Sequence, residues 1–575
     1  MDAPLSGAVR FGAFELDTKA EELRKGGKRL HLRPQSFRVL CFLVSRAGQL
    51  VTREELRQQL WHEDTFVDFE QGLNVCIRQI REVLNDKADA PRFVETVPRR
   101  GYRFAAHRTK TARRLVDSLA VLPFENCSAD PDIEYLCVGI AESLINSLSL
   151  LPQLRVVPRG TAFRYKNSVD LASVANELNL RAVLTGKVVL RGQTVNVQAE
   201  LVDLATDSQL WGGQYRRTLS DIFEVQEEIS REICHSLHLR LTAEERTRLR
   251  KRYTQEPEAY QLYLKGRYCA EKRTKEGLQK GVEYFHQAIE RDPSYALAYA
   301  GLADSYTLLG SGTYGALPAQ GAMADAKAMA LRALAIDDAL AEAHTSLAFV
   351  RFRFDWAWLD AEKGFEQALQ LNPRYARAHH WYALFLAAMG RRGEAMGEIR
   401  QAQILDPLAL TISTAVGRIW HFARQYDQAI EQFLKTLDLD PNFVSAHFDL
   451  GASYLQKSMF QEALTEFQTC VALSGGSLIY VAAVAEACAR LGKRDEAYKI
   501  LRQLEDASSE QYVSPSDLAL IHMALGDNNE AFPWLEKAYE QRDASLVWSK
   551  VAPESDPLRS DPRFQDLLRR MNLVP

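Results

Sequence analysis

Six alanines stand 34 residues apart in this chain: Ala361, Ala395, Ala429, Ala463, Ala497 and Ala531. Four positions after each comes a bulky apolar residue, in turn Phe365, Ile399, Phe433, Phe467, Leu501 and Leu535. Residues at i and i+4 share one face of a helix, so every unit offers a helix with a notch beside a knob. Twelve residues after the alanine, the first three units reach Pro373, Pro407 and Pro441, preceded by Asn372, Asp406 and Asp440. Proline suits the first turn of a helix and drives the residue before it out of the α region, so each pair ends one helix and starts the next. Leu450, Gly451 and Tyr454 then supply the large, small and aromatic positions of such a following helix. A register held through six units requires stacked helical hairpins, none of which can bury its apolar face alone. Two earlier units fit, Gly281/Phe285/Ala288 before Asp292-Pro293 and Ala326/Ala330/Ala333 before Asp337-Asp338, with about 11 extra residues near Ser311–Gly321.

This period resembles the tetratricopeptide repeat. The resemblance covers residues 255–550 in about eight units, and Leu558–Leu573, within the remaining segment 551–575, reads as a closing helix. It implies an all-α superhelix whose concave groove suits a protein or peptide partner. Tyr299, Tyr306, Trp381 and Tyr382, on first helices, are the candidates to line that groove, with packing between repeats as the competing role. His344, His379 and His380 occupy similar positions.

Charge is uneven along the chain. The net charge is −4, yet residues 8–108 hold 19 Lys/Arg against 14 Asp/Glu, leaving the rest acidic. A basic end on an acidic body points to an anionic partner for that end. Residues 9–16 alternate around Gly12 as one short half-buried strand, and Arg29–Leu32, after Gly26-Gly27, reads as a second strand of the same hairpin sheet. Pro34 opens a helix with Phe37, Leu40, Cys41 and Val44 on one face. Thr52 and Glu55 form a capping box ahead of a second helix bearing Leu56, Leu60 and Trp61. A third helix over Glu70–Asn85 carries Leu73, Ile77, Ile80 and Leu84 as a core stripe. Gln71, Asn74, Arg78 and Arg81 make the opposite stripe, amides and guanidiniums able to bond bidentately to adenine and guanine edges. Such a stripe is also what a merely solvated face looks like. Phe93–Phe104 then reads as a hairpin with Arg99 and Arg100 at its tip.

Strands, three helices and a basic hairpin resemble the winged helix-turn-helix domain of OmpR/PhoB-type response regulators and CadC-like activators. The resembling residues are Arg33-Pro34-x-x-Phe37-x-x-Leu40, Val51-Thr52-Arg53-Glu54-x-Leu56, Asn74-x-x-Ile77-x-x-Ile80-Arg81-x-x-Leu84 and Gly101-Tyr102-x-Phe104, over residues 8–106. The resemblance implies double-stranded DNA as partner, residues 70–84 in the major groove, and Arg99 and Arg100 along the minor groove or phosphates. Relatives commonly occupy tandem sites, which implies self-association on DNA. Seven residues precede Ala8, too few for a receiver domain, and Ala105–Leu119 is too polar to cross a membrane. Neither phosphorylation nor membrane tethering is therefore expected as the input.

A basic polar linker, 107–117, leads into residues 118–245, which alternate strand and helix. Ser118–Pro123, Leu154–Val157, Ala182–Leu190, Thr194–Leu204 and Gln209–Arg217 read as strands, with Arg191-Gly192-Gln193 as a tight hairpin turn. Ile133–Leu150, Val169–Leu178 and Ser220–Leu239 read as helices. The run Ala120–Phe124, Gly139-Ile140-x-x-Ser143-Leu144 and Leu184-Thr185-Gly186-x-Val188 resemble a TolB amino-terminal-like or FlgO-like α/β domain, a resemblance that brings no catalytic residues.

The fold class expected is multidomain: a winged helix-turn-helix (α+β), then a small α/β domain, then an all-α tetratricopeptide superhelix. No phosphate loop, dinucleotide fingerprint, zinc-protease helix or nucleophile elbow occurs. His235 and His238 make half a metal site at most, and Asp203 and Asp207 read as caps of a hairpin. The eight cysteines are scattered without ligand spacing, no apolar run reaches 18 residues, and no basic-then-apolar leader is visible. A cytoplasmic, non-enzymatic regulator of transcription without a cofactor or metal is expected, its repeats sensing or docking. A protein-interaction scaffold is the alternative.

Overall fold

The computed structural model describes residues 8–11, 14–18, 20–25, 28–60, 69–87, 91–98, 100–105, 116–128, 130–165, 174, 178, 180–206, 208–237, 239, 241–249, 252–310, 319–509 and 511–573. They form two compact units, Met1–Leu115 and Val116–Pro575.

The first unit opens with a four-stranded antiparallel sheet, β1 (Ala8–Phe11), β2 (Phe14–Asp17), β3 (Glu22–Lys25) and β4 (Lys28–Leu30), in that order. The single strand expected over 9–16 is in fact two, because Phe11 pairs with Phe14 and the chain reverses between them. Helix α1 (Pro34–Ser45), strand β5 (Leu50–Thr52), helix α2 (Arg53–Leu60) and helix α3 (Phe69–Leu84) follow. The wing strands β6 (Val94–Val97) and β7 (Gly101–Phe104) complete a second sheet of order β5-β7-β6. One core joins both sheets to the helices. Phe11 meets Phe104 edge-on at 5.0 Å and Phe93 at 5.7 Å, over Leu40, Leu43, Leu73, Ile77 and Ile80, all buried. Cys41 lies half-buried at its margin. Trp61, Gly26, Gly27 and the expected linker, apart from its last residues, lie outside the described residues.

The second unit begins with a sheet of order β10-β8-β11-β12-β13, formed by β8 (Ser118–Val121), β9 (Glu125–Asn126), β10 (Arg155–Val156), β11 (Ala182–Arg191), β12 (Thr194–Asp203) and β13 (Ser208–Thr218). Strand β8 runs parallel to β10 and β11, while β11, β12 and β13 are antiparallel. Arg191 pairs with Thr194 across the expected tight turn, where Gly192 takes φ 60°. Helices α4 (Glu134–Ser149), α5 (Arg159–Ala162) and α6 (Ile222–Ser236) accompany the sheet. The helix expected over Val169–Leu178 falls largely outside the described residues, as do His238 and Asp207. Asp203 accepts from the Ala205 amide at 2.9 Å and pairs with Arg181 at 2.8 Å.

After α7 (Ala243–Leu249) come eight helical pairs among the described residues. They are α8 (Pro257–Ala270) with α9 (Lys275–Arg291), α10 (Ala296–Leu309) with α11 (Ala319–Ile336), and α12 (Ala341–Val350) with α13 (Trp358–Leu371). Then follow α14 (Ala376–Ala388) with α15 (Arg392–Leu405), α16 (Leu410–Phe422) with α17 (Tyr426–Leu439), and α18 (Val444–Gln456) with α19 (Phe460–Leu473). The last are α20 (Leu478–Arg490) with α21 (Arg494–Ala507) and α22 (Pro515–Leu525) with α23 (Asn528–Glu540), before a final helix α24 (Pro562–Arg570). The periodic alanines and their bulky partners are buried in the second helices. The small first-helix position serves the knob: a Cβ at Gly417 or Gly451 would lie 2.4 or 2.5 Å from the ring of Phe433 or Phe467. Among the described residues no helix is long and apolar enough to cross a membrane.

The α/β layer and the helical array share a core. Tyr260 of α8 bonds Ser143 at 2.6 Å and donates to Gln226 at 2.8 Å, and a Cβ at Gly139 would lie 2.6 Å from Leu264. Further along, the segment from Leu151 to Arg164 is held by the middle of the array. Thr161 donates to Asp406 at 2.6 Å, and Arg374 donates to the Leu154 carbonyl at 2.5 Å. Arg164 reaches the carbonyls of Leu408 and Leu439 at 3.2 and 2.8 Å. The C-terminal segment also turns back: Trp358 donates to the Met571 carbonyl at 2.9 Å, and Arg424 to that of Val551 at 2.6 Å.

Candidate nucleic-acid interface

The amphipathic pattern of α3 fixes what its outer face can offer. Leu73, Ile77, Ile80 and Leu84 are buried, so Gln71, Asn74 and Arg78 are turned outward and exposed. The Arg78 side chain is 72% exposed, and its one ion pair among described residues is a long contact of 3.9 Å to Glu82. Its guanidinium is therefore held only weakly. Arg81 is half-buried instead. Its Nη2 donates to the Val94 carbonyl and the Thr96 hydroxyl of β6, both at 2.8 Å, which ties the helix to the wing. As placed, its Nη2 is engaged by the wing, so unlike Arg78 it does not project freely, although it lines the same face of α3.

Other residues join α3 to its neighbours, and the sequence stripe does not include them. The Tyr102 hydroxyl of β7 donates to Asn74 Oδ1 at 3.2 Å and accepts from Arg53 Nη2 at 3.1 Å. Burial holds the Tyr102 phenol above its usual range. Arg53, at the start of α2, also pairs with Glu70 and lies over the Tyr102 ring. Buried Asp86 accepts from the amides of Arg92, Phe93 and Val94 at 2.6, 3.1 and 2.7 Å, setting the path from α3 into the wing. The expected capping box forms. Glu55 accepts from the Thr52 amide and hydroxyl at 2.7 and 2.8 Å, and these bonds hold its carboxyl below the usual range.

Between α3 and the wing lies a groove of about 500 Å³, lined by Arg53, Asn74, Arg78, Arg81, Thr96 and Tyr102 among others. Arg100 is exposed where the wing hairpin turns, its amide donating to the Val97 carbonyl at 3.0 Å. Arg99 lies outside the described residues. Gly101 is required by close approach, since a Cβ there would sit 2.0 Å from the Val51 carbonyl oxygen of β5.

The aromatic residues expected to line the repeat groove do not gather there. Tyr299 is buried among Ala296, Ala300, Ala333 and Leu340. Tyr382 is buried and stacked on Phe365 at 5.6 Å. Tyr306 is half-buried and bonds His286 at 3.1 Å. Trp381, itself buried, is the one of the four that lines the large cavity between the α/β layer and the array. Packing between neighbouring helices claims Tyr299 and Tyr382, and neither is open to a partner in this state.

A helix with an exposed amide and guanidinium face, bound to a basic hairpin, defines the DNA-binding winged helix of transcription regulators. Comparison with known proteins makes this particular. Residues 27–104 match the family described as "Transcriptional regulatory protein, C terminal", residues 115–232 the "HilA/YgeH-like transcriptional regulator, second domain", and residues 424–458 a "TPR repeat". The chain is an assembly of an OmpR/PhoB-type domain, a HilA-like regulator domain and tetratricopeptide repeats. For the middle region the match is to the HilA/YgeH-like family, where the sequence motifs had pointed to a TolB-like or FlgO-like domain. "Transcriptional regulator HilA" of Salmonella typhimurium is 24% identical over 419 residues, 71% of this chain and 72% of that one. "Putative adenylate cyclase 3" of Rhizobium meliloti is 37% identical over 187 residues, so this chain spans only 32% of that relative's length, by 32% of its own. The phosphate regulon transcriptional regulatory protein PhoB of Rhizobium meliloti is 33% identical over 98 residues, 17% of this chain and 42% of that one.

Proposed function

We propose that this chain is a sequence-specific transcription regulator in which α3 enters the major groove and residues 116–575 act as the sensing body. The observation that carries the reading is the division of labour on α3. Gln71, Asn74 and Arg78 are exposed, while Arg81 is spent on holding the wing. Amides and a loosely held guanidinium on one groove-sized helix are what direct readout of base edges needs. Arg100, with Arg99 beside it in sequence, supplies the wing's charge for phosphates or the minor groove. A relative matched over 71% of the chain, the transcriptional regulator HilA, supports the same assignment.

The sensing role rests on a clasp. The α/β layer is fastened to the inner array through Thr161–Asp406 and Arg374–Leu154, polar contacts that a signal can exchange. A peptide or protein partner entering the groove would have to displace this segment first. The reading also takes DNA occupancy to involve self-association on tandem sites.

The test is selection of binding sites from a random DNA pool by the full-length protein, followed by a salt titration on the winning sequence. A short enriched motif, arranged as a direct repeat, whose affinity falls with log salt at a slope near −4 to −5 for ~5 neutralised phosphates, is expected. No enrichment by the full-length protein or by residues 1–108 would replace this reading with that of an interaction scaffold.

A further inference from the structure

The cavity between the α/β layer and the array, partly open to solvent, has a volume of about 1220 Å³, far more than a packing defect and ample for a small ligand. Its charges do not balance. Of the described lining residues nine are arginines and five are carboxylates. Burial holds two of those carboxylates, Glu342 and Asp406, above the usual range and so favours their neutral forms.

Several arginines are accounted for. Arg267 pairs with Glu142 at 2.5 Å, Arg377 pairs with Asp304, and Arg418 grips Asp449 through Nε and Nη2 at 3.2 and 2.7 Å. Arg353 is different. It is 9% exposed, makes no side-chain hydrogen bond or ion pair among the described residues, and its Nε is a buried donor with no acceptor. Three rings lie against it, Trp548 at 5.4 Å and Phe349 and Phe352 each at 5.9 Å, while Arg418 and Asp543 act on it from beyond ion-pair distance. Burial and the charge of Arg418 pull its pKa down to about 10. A buried guanidinium with no anion in contact is a costly arrangement that a ligand relieves.

The backbone is shaped to hold it there. After α12 the chain makes a π-helical turn, Arg351–Asp355, closed by Trp356 in the left-handed region at φ 57°. Single π-turns are rare and recur at functional sites, whereas the left-handed residue belongs to the repeat itself, since Gly390, Arg424, Ser458, Gly492 and Gly526, at successive steps of 34, also take positive φ. His380 also lines the cavity, pushed down to about 3 by burial and by Arg418, Arg377 and Arg273, so it is a neutral hydrogen-bonding group.

We propose that this cavity binds a small organic anion, a carboxylate or phosphate on an aromatic or apolar body. Arg353 is its charge partner, Arg418 and His380 flank it, and Trp381 and Trp548 take the body. This rests on the reading of residues 116–575 as the sensing unit and names the class of signal. A small molecule is favoured over an acidic peptide because the clasp at Thr161–Asp406 and Arg374–Leu154 stays closed around it.

Full-length protein is titrated with benzoate, with phenyl phosphate and with uncharged benzyl alcohol, followed by calorimetry and tryptophan fluorescence. At least one anion binds saturably with a Kd of about 1 mM or lower, and R353Q weakens it by about tenfold or more. The preferred anion tells carboxylate from phosphate. Lack of saturable binding by both anions, equal binding by R353Q, or equal binding of benzyl alcohol overturns the proposal. Unliganded R353M is melted in parallel. R353M keeps apolar packing against the same rings, so a midpoint close to the parent's shows that lost binding is loss of the charge and not of the fold. No DNA enters these measurements, so their failure is separable from failure of the DNA-binding reading.

Discussion

Arg81 of the recognition helix donates to the Thr96 hydroxyl of the wing at 2.8 Å, and the same Nη2 reaches the Val94 carbonyl at 2.8 Å. One side chain thus fixes the angle between the two DNA-facing elements. Arg78, one turn earlier, has no such anchor. The two arginines of the outer stripe therefore have different jobs, and replacing each should fail differently.

Arg78→Ala is expected to relax base preference at one position by about 1–3 kcal/mol while leaving the fold intact. Arg81→Ala removes the bonds to the Val94 carbonyl and to the exposed Thr96 hydroxyl of β6, at about 1 kcal/mol of local stability. It should lower affinity for all sequences alike and speed amide exchange in Val94–Val97. Competition binding against single-base variants of the selected site, with hydrogen exchange on the full chain, checks both. Uniform loss for Arg78→Ala would remove it from base readout.

The wing charge predicts a salt signature. Each phosphate contact contributes about −0.9 to the slope of log K against log salt, so Arg100→Ala should reduce that slope by about one unit and the double change with Arg99 by about two. Base preference should hardly move. A titration from low to moderate salt reads this directly, and an unchanged slope would take the wing off the DNA backbone.

Gly101 tests the seating of the wing against β5. With a Cβ placed 2.0 Å from the Val51 carbonyl oxygen and 2.9 Å from Thr52 Cα, backbone must move. Gly101→Ala should destabilise the first unit by about 2–3 kcal/mol, the range of overpacking in a rigid site. Melting followed by near-ultraviolet dichroism measures it, and a neutral result would show that β5 and β7 can separate freely.

How much of this was legible follows from which forces act locally. The 34-residue register survives in sequence because Ala361 and Phe365, like their counterparts, are buried by neighbours one hairpin away. The core stripe of α3 and the three long strands of the α/β layer are equally local, set by periods of 3.6 and 2. Strand β3 was not, since Glu22–Lys25 is mostly charged and lies in the sheet through its pairing with β2 and β4. Nor was the clasp: Thr161 and Asp406 are 245 positions apart and polar, so no periodicity marks them. Arg81 looked like its neighbours on the helical wheel. Only the wing strand lying beside it distinguishes it.

The acidic cluster late in the array gives the last prediction. Glu486 is buried on α20, and burial, then the charge of Glu554, raise its carboxyl to about 7. Asp517 is likewise held well above its ordinary value by burial, Asp543 and Glu486. Because the folded pKa of Glu486 exceeds the unfolded one, the folded state holds the extra proton between them. Its contribution to stability is fully present below the unfolded value and is lost as pH rises through about 7. Glu486→Gln keeps the shape and removes the ionisation. The variant should therefore gain on the parent by on the order of 3 kcal/mol at pH 8 and show little difference at pH 4. Denaturation midpoints of both proteins across that range decide it. A difference independent of pH would mean that Glu486 does not titrate in this window.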